Sequence, residues 1–449
     1  GQKTPEYGTG YDRQAPICSS VPEFSVVSRR LPGPVGEVRG AAEVPTSKSL
    51  TNRALIAAAA ADGGVIRRPL DCEDTRLLAG ALEQAGWPVA WERDISVGRR
   101  RPVARAVVDL GNSGTGARLV LGLLACVPGK FRVDGTDRLR QRPMLPLIEA
   151  LADLGSEIRS RDGCLPADIV GRKMAGGSVQ IRPEVSSQFV SSLLLAGPLM
   201  AQGIDLDVIG PVPSRPYLEL TREVMETFGA SLDIASAGRW RVRPGGLRKI
   251  TYVVEGDWSA AAFAGAAVAV AGGEITVSPL SARSSQGDRA LCDVLQQAGL
   301  EIGFSGEDLN ISGRMTRPFE ADLTDTPDLF PALAVVAATG PVGSRLTGLD
   351  HLKHKESDRL SVMIENLDRL GARFETGSSS IRVQRGVRRH GPEAIEVTAA
   401  DDHRIAMAMA VAALAVGELD LDDDRCVAKS FPDFWRMWDR LIRGAGKPL

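Results

Sequence analysis

The sequence is poor in the residues that build metal centres and disulfide frameworks. It has six cysteines, with no C-x-x-C pair, and four histidines. Zinc sites use clustered cysteine and histidine ligands, and disulfide-stapled scaffolds are short and dense in cysteine. We therefore expect neither a metal site nor a disulfide framework, and the scattered thiols indicate a reducing, cytoplasmic compartment.

An excess of one charge and a long apolar run are also missing. The 54 basic and 56 acidic residues give a formal net charge of −2, whereas nucleic-acid-binding domains are usually basic. The longest apolar stretches, 259–273 and 405–417, fall short of the ~18 residues that indicate a membrane span. We expect buried helices there, and neither nucleic acid nor a membrane as a partner. Residues 1–22 are polar and lack the apolar segment of a signal peptide, so we expect a flexible N-terminal tail.

A helix-ending pattern recurs about every 70 residues along the 449-residue chain, whose length suits two or three domains. In each copy, apolar residues lie four and one positions before a glycine, and a strand-like run follows. Glycine there permits the left-handed conformation that ends a helix. Helix, glycine and strand follow each other in many α/β proteins, but the even spacing favours a true repeat of six β/α units. The glycines are Gly86, Gly155, Gly229, Gly299 and Gly371, with a weaker sixth copy at Gly444.

Two segments place polar residues at the start of a helix. Residues 47–53 read Ser-Lys-Ser-Leu-Thr-Asn-Arg before an Ala-rich run, and 111–118 read Gly-Asn-Ser-Gly-Thr-Gly-Ala-Arg before an apolar one. Serine caps helices, and the free N–H groups of a helix start attract anions. Taken singly, the first segment is better explained as a cap with a solvated basic face. The second is a glycine-rich turn that matches neither a Walker loop nor a dinucleotide fingerprint.

Shorter polar segments lie between these and the C-terminal third. They supply hydroxyl, amide and guanidinium donors that suit phosphate, carboxylate or hydroxyl groups. Individually, each is explained as loop chemistry or capping. They are Arg142-Pro143, Ser186-Ser187-Gln188 and Ser214-Arg215-Pro216-Tyr217. The segment 255–257, Glu-Gly-Asp, is expected to be a turn with an N-cap, with a domain crossover as the alternative.

The C-terminal third repeatedly sets acids and bases beside a helix start. Solvated charge would explain any one of these segments, but their repetition in a chain of near-zero net charge favours one convergent anion site with embedded carboxylates. The sequence shows no G-x-S-x-G nucleophile elbow. Cations around two carboxylates therefore indicate a substrate with several negative groups, and proton transfer rather than metal or covalent catalysis. The segments are 322–328, 355–360, 401–404 and 429–433.

Together these motifs resemble the enolpyruvyl transferases, and among them the members that act on shikimate-3-phosphate. The resemblance runs from about Leu31 onward, in the family's order and spacing. It is carried by SKSLTNRAL, GNSGTGAR, RQRP, SSQF, SRPY, EGD, QGD, PDLFPALAV, KESDRL, DDHRIAM and AKSFPDF.

The resemblance implies an α/β fold of two similar domains, each made of three βαβαββ units in an inside-out α/β barrel, with the active site in the interdomain cleft. Residues 48–256 would form an inserted domain on the shikimate-3-phosphate side. Residues 23–47 and 257–449 would form a discontinuous domain on the phosphoenolpyruvate side, which carries Asp328 and Glu356. The glycine repeat agrees with six such units.

The implied reaction transfers the enolpyruvyl group of phosphoenolpyruvate to the 5-hydroxyl of shikimate-3-phosphate and releases phosphate, without metal or organic cofactor. By position, Lys48 matches a lysine shared by both substrates, Asp328 the carboxylate facing the 5-hydroxyl, and Glu356 the acid that handles the proton on the methylene carbon. The implied shikimate-3-phosphate set is Lys48, Ser49, Arg53, Ser186, Ser187, Gln188, Ser214, Tyr217, Asp328 and Lys355. The implied phosphoenolpyruvate set is Lys48, Gly114, Thr115, Arg142, Gln188, Arg359, Arg404 and Lys429.

Some positions depart from the family's pattern. Thr46 replaces a common glycine, and Leu119 replaces a proline near the family's glyphosate site, so glyphosate sensitivity stays open. His351 replaces an asparagine that contacts the sugar phosphate in some members, and it is either a pH-dependent donor or a surface residue. The resemblance requires no more than a monomer.

Three alternatives remain. The sister enzyme that uses UDP-N-acetylglucosamine usually carries a cysteine where this chain has Asp137. A non-catalytic phosphometabolite-binding relative would not require both carboxylates. A paralogue acting on a modified shikimate would share the same motifs.

Overall fold

The computed structural model describes residues 28–236 and 238–443, so the expected tail 1–22, Cys18 and the sixth repeat glycine Gly444 lie outside the described residues. Its strands are short, and most contain three to six residues. In chain order they are β1 (Arg29–Leu31), β2 (Val38–Glu43), β3 (Gly64–Arg67), β4 (Val89–Trp91), β5 (Ile95–Val97), β6 (Arg105–Asp109), β7 (Gly129–Asp134), β8 (Glu157–Arg161), β9 (Cys164–Gly171), β10 (Gly177–Ile181), β11 (Ile204–Val208), β12 (Leu232–Ser236), β13 (Arg239–Val242), β14 (Thr251–Val253), β15 (Gly273–Ser278), β16 (Glu301–Ser305), β17 (Asp308–Gly313), β18 (Glu320–Asp322), β19 (Arg345–Thr347), β20 (Arg373–Thr376), β21 (Ser380–Arg385), β22 (Ile395–Val397) and β23 (Leu419–Leu421).

The helices alternate with these strands. They are α1 (Lys48–Ala60), α2 (Glu73–Gln84), α3 (Gly114–Ala125), α4 (Asp137–Arg140), α5 (Leu145–Asp153), α6 (Gln188–Ala196), α7 (Pro216–Thr227), α8 (Trp258–Ala271), α9 (Leu291–Ala298), α10 (Phe330–Thr339), α11 (Arg359–Arg369), α12 (His403–Val416) and α13 (Phe434–Arg443). Short 3-10 helices span Gly197–Leu199, Gly287–Ala290, Pro327–Leu329, Asp350–His354 and Arg425–Lys429. None of the helices in the described ranges is long and apolar enough to span a bilayer.

The strands form six small sheets that share one topology. Five sheets have four strands and one has three, in the orders β14-β3-β5-β4, β6-β7-β9-β8, β10-β11-β13-β12, β2-β15-β17-β16, β18-β19-β21-β20 and β22-β23-β1. In each sheet the first two strands are parallel. The next strand is antiparallel to its neighbour. In four sheets a single helix connects the parallel pair, namely α3, α6, α10 or α12. In the other two, α1 and α8 precede β3 and β15, whose parallel partners lie far away in the chain. A second helix follows each parallel pair, so the expected six β/α units are present.

Three of the six sheets contain a strand from a distant part of the chain. β14 pairs with β3, β2 pairs with β15 across residues 44–272, and the N-terminal β1 takes the antiparallel place beside β23. The sixth unit therefore receives its strand from the other end of the sequence, which explains why the helix–glycine–strand pattern weakens near residue 444.

The repeat glycines end helices as the pattern predicts. Gly86, Gly155, Gly229, Gly299 and Gly371 all have φ between 93° and 105°. The residue after each glycine donates its N–H to the carbonyl five positions back, which is the apolar residue of the repeat; Ser156 bonds to Leu151 in this way. This is the hydrogen bond of a Schellman ending, and it fixes where the next strand begins.

The apolar side chains of the described residues form two separate cores. One lies between Leu50 and Val254, and the other combines 31–44 with 258–441. The chain passes between the cores through an antiparallel bridge of Thr46 with Gly256, where Ser47 N–H donates to Glu255 O at 2.8 Å. We therefore propose the boundaries 23–47, 48–256 and 257–449 for an inserted and a discontinuous domain, names used below.

Candidate active site

A cleft between the two domains collects the start of the first helix of every unit. Residues at or just before the first turns of α1, α3, α6, α8, α10 and α12 all line it. Helix starts present unpaired N–H groups and a positive dipole end. Since six of them converge here, the backbone alone makes the cleft favourable for anions.

Most of the residues predicted for the site line this cleft. Thirteen of the seventeen do so, namely Lys48, Ser49, Thr115, Arg142, Ser186, Ser187, Gln188, Ser214, Tyr217, Asp328, Lys355, Glu356 and Arg404. The other four, Arg53, Gly114, Arg359 and Lys429, are buried and do not line it. The structure thus brings the two predicted substrate sets to one place, while the role of each residue stays a prediction.

Arg359 ties the two predicted catalytic carboxylates together from behind. Its guanidinium is 2.9 Å from Asp328 Oδ1, 2.8 Å from Glu356 Oε2 and 2.9 Å from Asp402 Oδ2. Arg404 Nη2 lies 2.9 Å from Asp328 Oδ2. Asp402 lies in the predicted segment 401–404 but has no role assigned from sequence, and it also caps α12 by accepting from Arg404 N–H.

This arrangement keeps both carboxylates ionised. Burial opposes ionisation of Asp328, but Arg404, Lys355 and Arg359 outweigh it and lower its pKa. Burial likewise opposes ionisation of Glu356, and Arg359, Arg142 and Lys429 bring its pKa well below the usual range. The cations lower each pKa because they favour the charged form.

Lys48 is oriented by a carboxylate that the sequence did not single out. Its Nζ lies 2.8 Å from Asp74 Oδ2 at the start of α2. Burial would lower the pKa of Lys48, but Asp74 and Glu356 raise it, so the ammonium stays charged. Asp74 is far from any recognised motif, and only the packing of α2 against α1 reveals it.

Arg142 lines the cleft, and part of its guanidinium is free to bind a ligand. Its Nε and Nη1 atoms are buried and have no hydrogen-bond partner in the ranges that the structure describes. A Cβ at residue 114 would overlap this guanidinium, so glycine is required for Arg142 to rest against the start of α3. Nearby, Gln188 Nε2 donates to Thr115 Oγ1 at 2.8 Å and its Oε1 accepts from Arg118 Nη1 at 2.8 Å.

Two residues predicted to contact the substrates form hydrogen bonds with other residues of the protein. Arg53 donates to Thr221 Oγ1 at 2.8 Å and to Tyr217 O at 3.2 Å, so it fastens α1 to α7. Burial lowers its pKa to about 10. Lys429 Nζ donates to Asn112 O at 3.1 Å, across the two domains.

Six further cleft residues precede or begin helices, and the sequence patterns assign none of them an individual role in the site. Ser47, Asp257, Ser259, Gln286, Asp288 and His403 also line the cleft. The sequence predicts a turn with an N-cap at 255–257, or a domain crossover, and Asp257 does accept from Ala260 N–H at 3.0 Å. Asp288 contacts Ser259 Oγ; its signal was the QGD motif, which carried the resemblance but was assigned no role.

His351 is not a surface residue, so that alternative is wrong. It is 8% exposed, and its Nε2 has no partner within the described part of the chain. Burial, reinforced by Lys355, lowers its pKa to about 4. The side chain is therefore neutral at physiological pH.

No metal cluster accompanies the site in the part of the chain that the structure describes: no group of three His, Cys, Asp or Glu side chains is arranged to hold an ion. The five described cysteines are free thiols.

Comparison with solved structures shows the same architecture elsewhere. An EPSP synthase from Acinetobacter baumannii superposes with a TM-score of 0.73 at 24% identity, covering 92% of this chain and 98% of that one. The enolpyruvyl transferase NikO from Streptomyces tendae gives 0.75 at 19% identity, covering 93% and 97%. At such identities the likeness speaks for the fold alone, and it confirms the predicted α/β fold class.

Sequence comparison is more specific. A 3-phosphoshikimate 1-carboxyvinyltransferase of Syntrophobacter fumaroxidans is 36% identical over 92% of this chain and 99% of its own length. One from Methanoculleus marisnigri is 38% identical over 89% and 96%. A family model described as EPSP synthase (3-phosphoshikimate 1-carboxyvinyltransferase) matches residues 33–438. The chain therefore belongs to the EPSP synthase family.

Proposed function

We infer that this protein transfers the enolpyruvyl group of phosphoenolpyruvate to the 5-hydroxyl of shikimate-3-phosphate and releases inorganic phosphate. The observation that carries this inference is the interdomain cleft, where Asp328 and Glu356 lie among Lys48, Arg142, Lys355 and Arg404. Both substrates are anions, and both proton transfers of the reaction need a group within hydrogen-bond reach.

The reaction is an addition followed by an elimination. A proton adds to the methylene carbon of phosphoenolpyruvate, while the 5-hydroxyl oxygen bonds to the central carbon and loses its proton. The resulting tetrahedral ketal phosphate expels inorganic phosphate, and the methyl group gives back a proton to form the enol ether. We assign the carbon-bound proton to Glu356 and the hydroxyl proton to Asp328, with Lys48 between the two substrates.

Substrate binding prepares Glu356 to supply the proton that this chemistry needs. An ionised Glu356 among cations is a poor acid. Phosphate and carboxylate groups that bind beside Arg142 and Lys48 neutralise the charges that lower the pKa of Glu356. The pKa then rises and a proton becomes available where the reaction needs it.

The two sides of the cleft suit different substrates. Ser186, Ser187, Ser214 and Tyr217 come from the inserted domain and offer hydroxyl groups, which suits the sugar phosphate. Arg142 of the inserted domain and Arg404 of the discontinuous domain both line the cleft and suit the carboxylate and phosphate of phosphoenolpyruvate. We propose that the inhibitor glyphosate binds at the same place, beside Arg142 and Arg404.

A single chain contains the whole cleft, which supports our proposal that the enzyme works as a monomer. The free thiols of the described cysteines support a cytoplasmic location.

Phosphate release with matched acceptors tests the proposed function. The enzyme is given phosphoenolpyruvate with shikimate-3-phosphate, and in parallel with UDP-N-acetylglucosamine, and the product is identified by mass. We expect release with the first acceptor only and a product heavier by one enolpyruvyl group. Release only with the second acceptor, or none despite measured binding of shikimate-3-phosphate, would overturn the assignment.

A further inference from the structure

Arg138 links the two domains beside the cleft without facing it. It lies on α4 of the inserted domain, four residues before Arg142. Its Nε donates to Glu356 O at 3.0 Å, and its Nη2 donates to Lys355 O at 2.9 Å and to Lys353 O at 3.3 Å. All three acceptors belong to the discontinuous domain.

The three carbonyls are in the segment that carries two predicted site residues. Lys355 and Glu356 follow the 3-10 helix Asp350–His354 and precede α11. Carbonyls at the end of a helix lack intrahelical partners, and the planar fork of a guanidinium can serve several of them at once. Arg138 therefore fixes the main chain from which the Glu356 side chain projects.

The bonds exist only while the two domains touch. Within the discontinuous domain, Arg359 holds the Glu356 carboxylate at 2.8 Å, whereas the main chain of Glu356 is held by Arg138 from the other domain. The side chain and the backbone of one residue are thus fixed from opposite sides of the cleft.

We propose that Arg138 is a positioning residue for the transfer reaction. By donating hydrogen bonds to the carbonyls of residues 353, 355 and 356, it holds Glu356 in its reactive position only when the two domains are in contact. This proposal rests on the proposed function, in particular on the role of Glu356. Misplacement of a reacting group by about 1 Å costs on the order of 100-fold in rate, so the contact is worth testing by kinetics.

The test compares Arg138→Ala with Arg140→Ala. Arg140 lies on the same short helix but pairs with Asp134 and Asp137 inside the inserted domain. We expect Arg138→Ala to lower kcat about 10- to 100-fold, with the dissociation constant of shikimate-3-phosphate, measured without phosphoenolpyruvate, changed less than about 3-fold. Arg140→Ala should keep kcat within about 2-fold. Arg138→Lys, which keeps the charge but not the fork, should recover part of the loss and serves if the alanine variant does not fold.

A double-mutant cycle with Glu356→Gln separates positioning from a general structural role. If Arg138 acts through Glu356, removing it from the Glu356→Gln enzyme should cost less than about 3-fold, because residues acting as a unit are not additive. The proposal would be overturned if Arg138→Ala lowered kcat in the Glu356→Gln enzyme by the same factor as in the parent enzyme. It would also be overturned if Arg138→Ala did not lower kcat in the parent. A Glu356→Gln enzyme with normal turnover would instead overturn the proposed role of Glu356, and an inactive parent would overturn the proposed function.

Discussion

Asp288 is the carboxyl of the cleft that its surroundings push toward the neutral form. It is 3% exposed and contacts Ser259. Burial, reinforced by the charge of Asp328, raises its pKa to about 7. The unfolded chain would restore the usual value of about 3.9. The pKa of Asp288 is raised whereas that of Asp328 is lowered, so the same cleft holds one carboxyl that favours the neutral form and one that favours the charged form.

The raised pKa of Asp288 predicts how the stability of the protein depends on pH. Because the folded pKa of Asp288 is raised, its contribution to stability is full below about pH 4 and is lost as the pH rises to about 7. Asp288→Asn stays neutral, so its free energy of unfolding should improve relative to the parent by up to about 4 kcal/mol across that window. Urea unfolding from pH 4 to 8 measures this.

The exposed Asp293→Asn on α9 is the matched control and should show a constant difference from the parent over the same pH range. A constant difference for Asp288→Asn as well would refute the raised pKa.

Individual site residues could be predicted where they belong to a sequence motif. Residues that reach the site only through the packing of the folded chain could not. Lys48, Asp328 and Glu356 all lie in quoted motifs, and all reach the cleft. Asp74 orients Lys48 from a helix with no motif. The contact of Asp74 with Lys48 depends on the packing of α2 against α1, which the local sequence does not reveal.

The start of α3 shows how a helix terminus and a side chain share space. Gly114 opens this helix, and the Arg142 guanidinium rests where a Cβ would lie. Gly114→Ala should displace Arg142, raising the KM for phosphoenolpyruvate about 10- to 100-fold, the size expected for a charged hydrogen bond lost or weakened. The dissociation constant of shikimate-3-phosphate should change less than about 3-fold. Steady-state kinetics and titration calorimetry measure the two effects.

Gly80→Ala is the control, because a Cβ there meets nothing within 4 Å on α2. It should leave both constants unchanged. An unchanged KM for phosphoenolpyruvate in Gly114→Ala would contradict the proposed contact of Arg142 with that substrate.

Helix ends were more predictable than strand partners. The endings at Gly155 and its equivalents depend on residues within one helical turn, so the sequence pattern suffices. The pairing of β1 with β23 joins residues about 390 apart, and no local pattern reports such a contact. The resemblance implied two three-unit domains, and the structure adds which strands close them.

At the scale of the whole molecule, the cleft is complete because contacts hold the domains together. Ser214 N–H donates to Thr324 O at 2.9 Å, and Tyr217 OH donates to Asp328 Oδ2 at 3.2 Å. Arg138 and Lys429 add two further bridges. The inserted domain brings hydroxyls and Arg142, and the discontinuous domain brings the carboxylates, so neither domain alone holds the site.

The proposed mechanism depends above all on Glu356, which exchanges a proton with the substrate carbon inside this cleft. The most direct measurement is single-turnover phosphate release by Glu356→Gln, with shikimate-3-phosphate binding measured by calorimetry on the same sample. An amide keeps the shape but supplies no acid, so we predict a loss of about 100-fold or more in release rate with binding changed less than about 3-fold. Near-normal phosphate release by this variant would show that Glu356 does not exchange this proton.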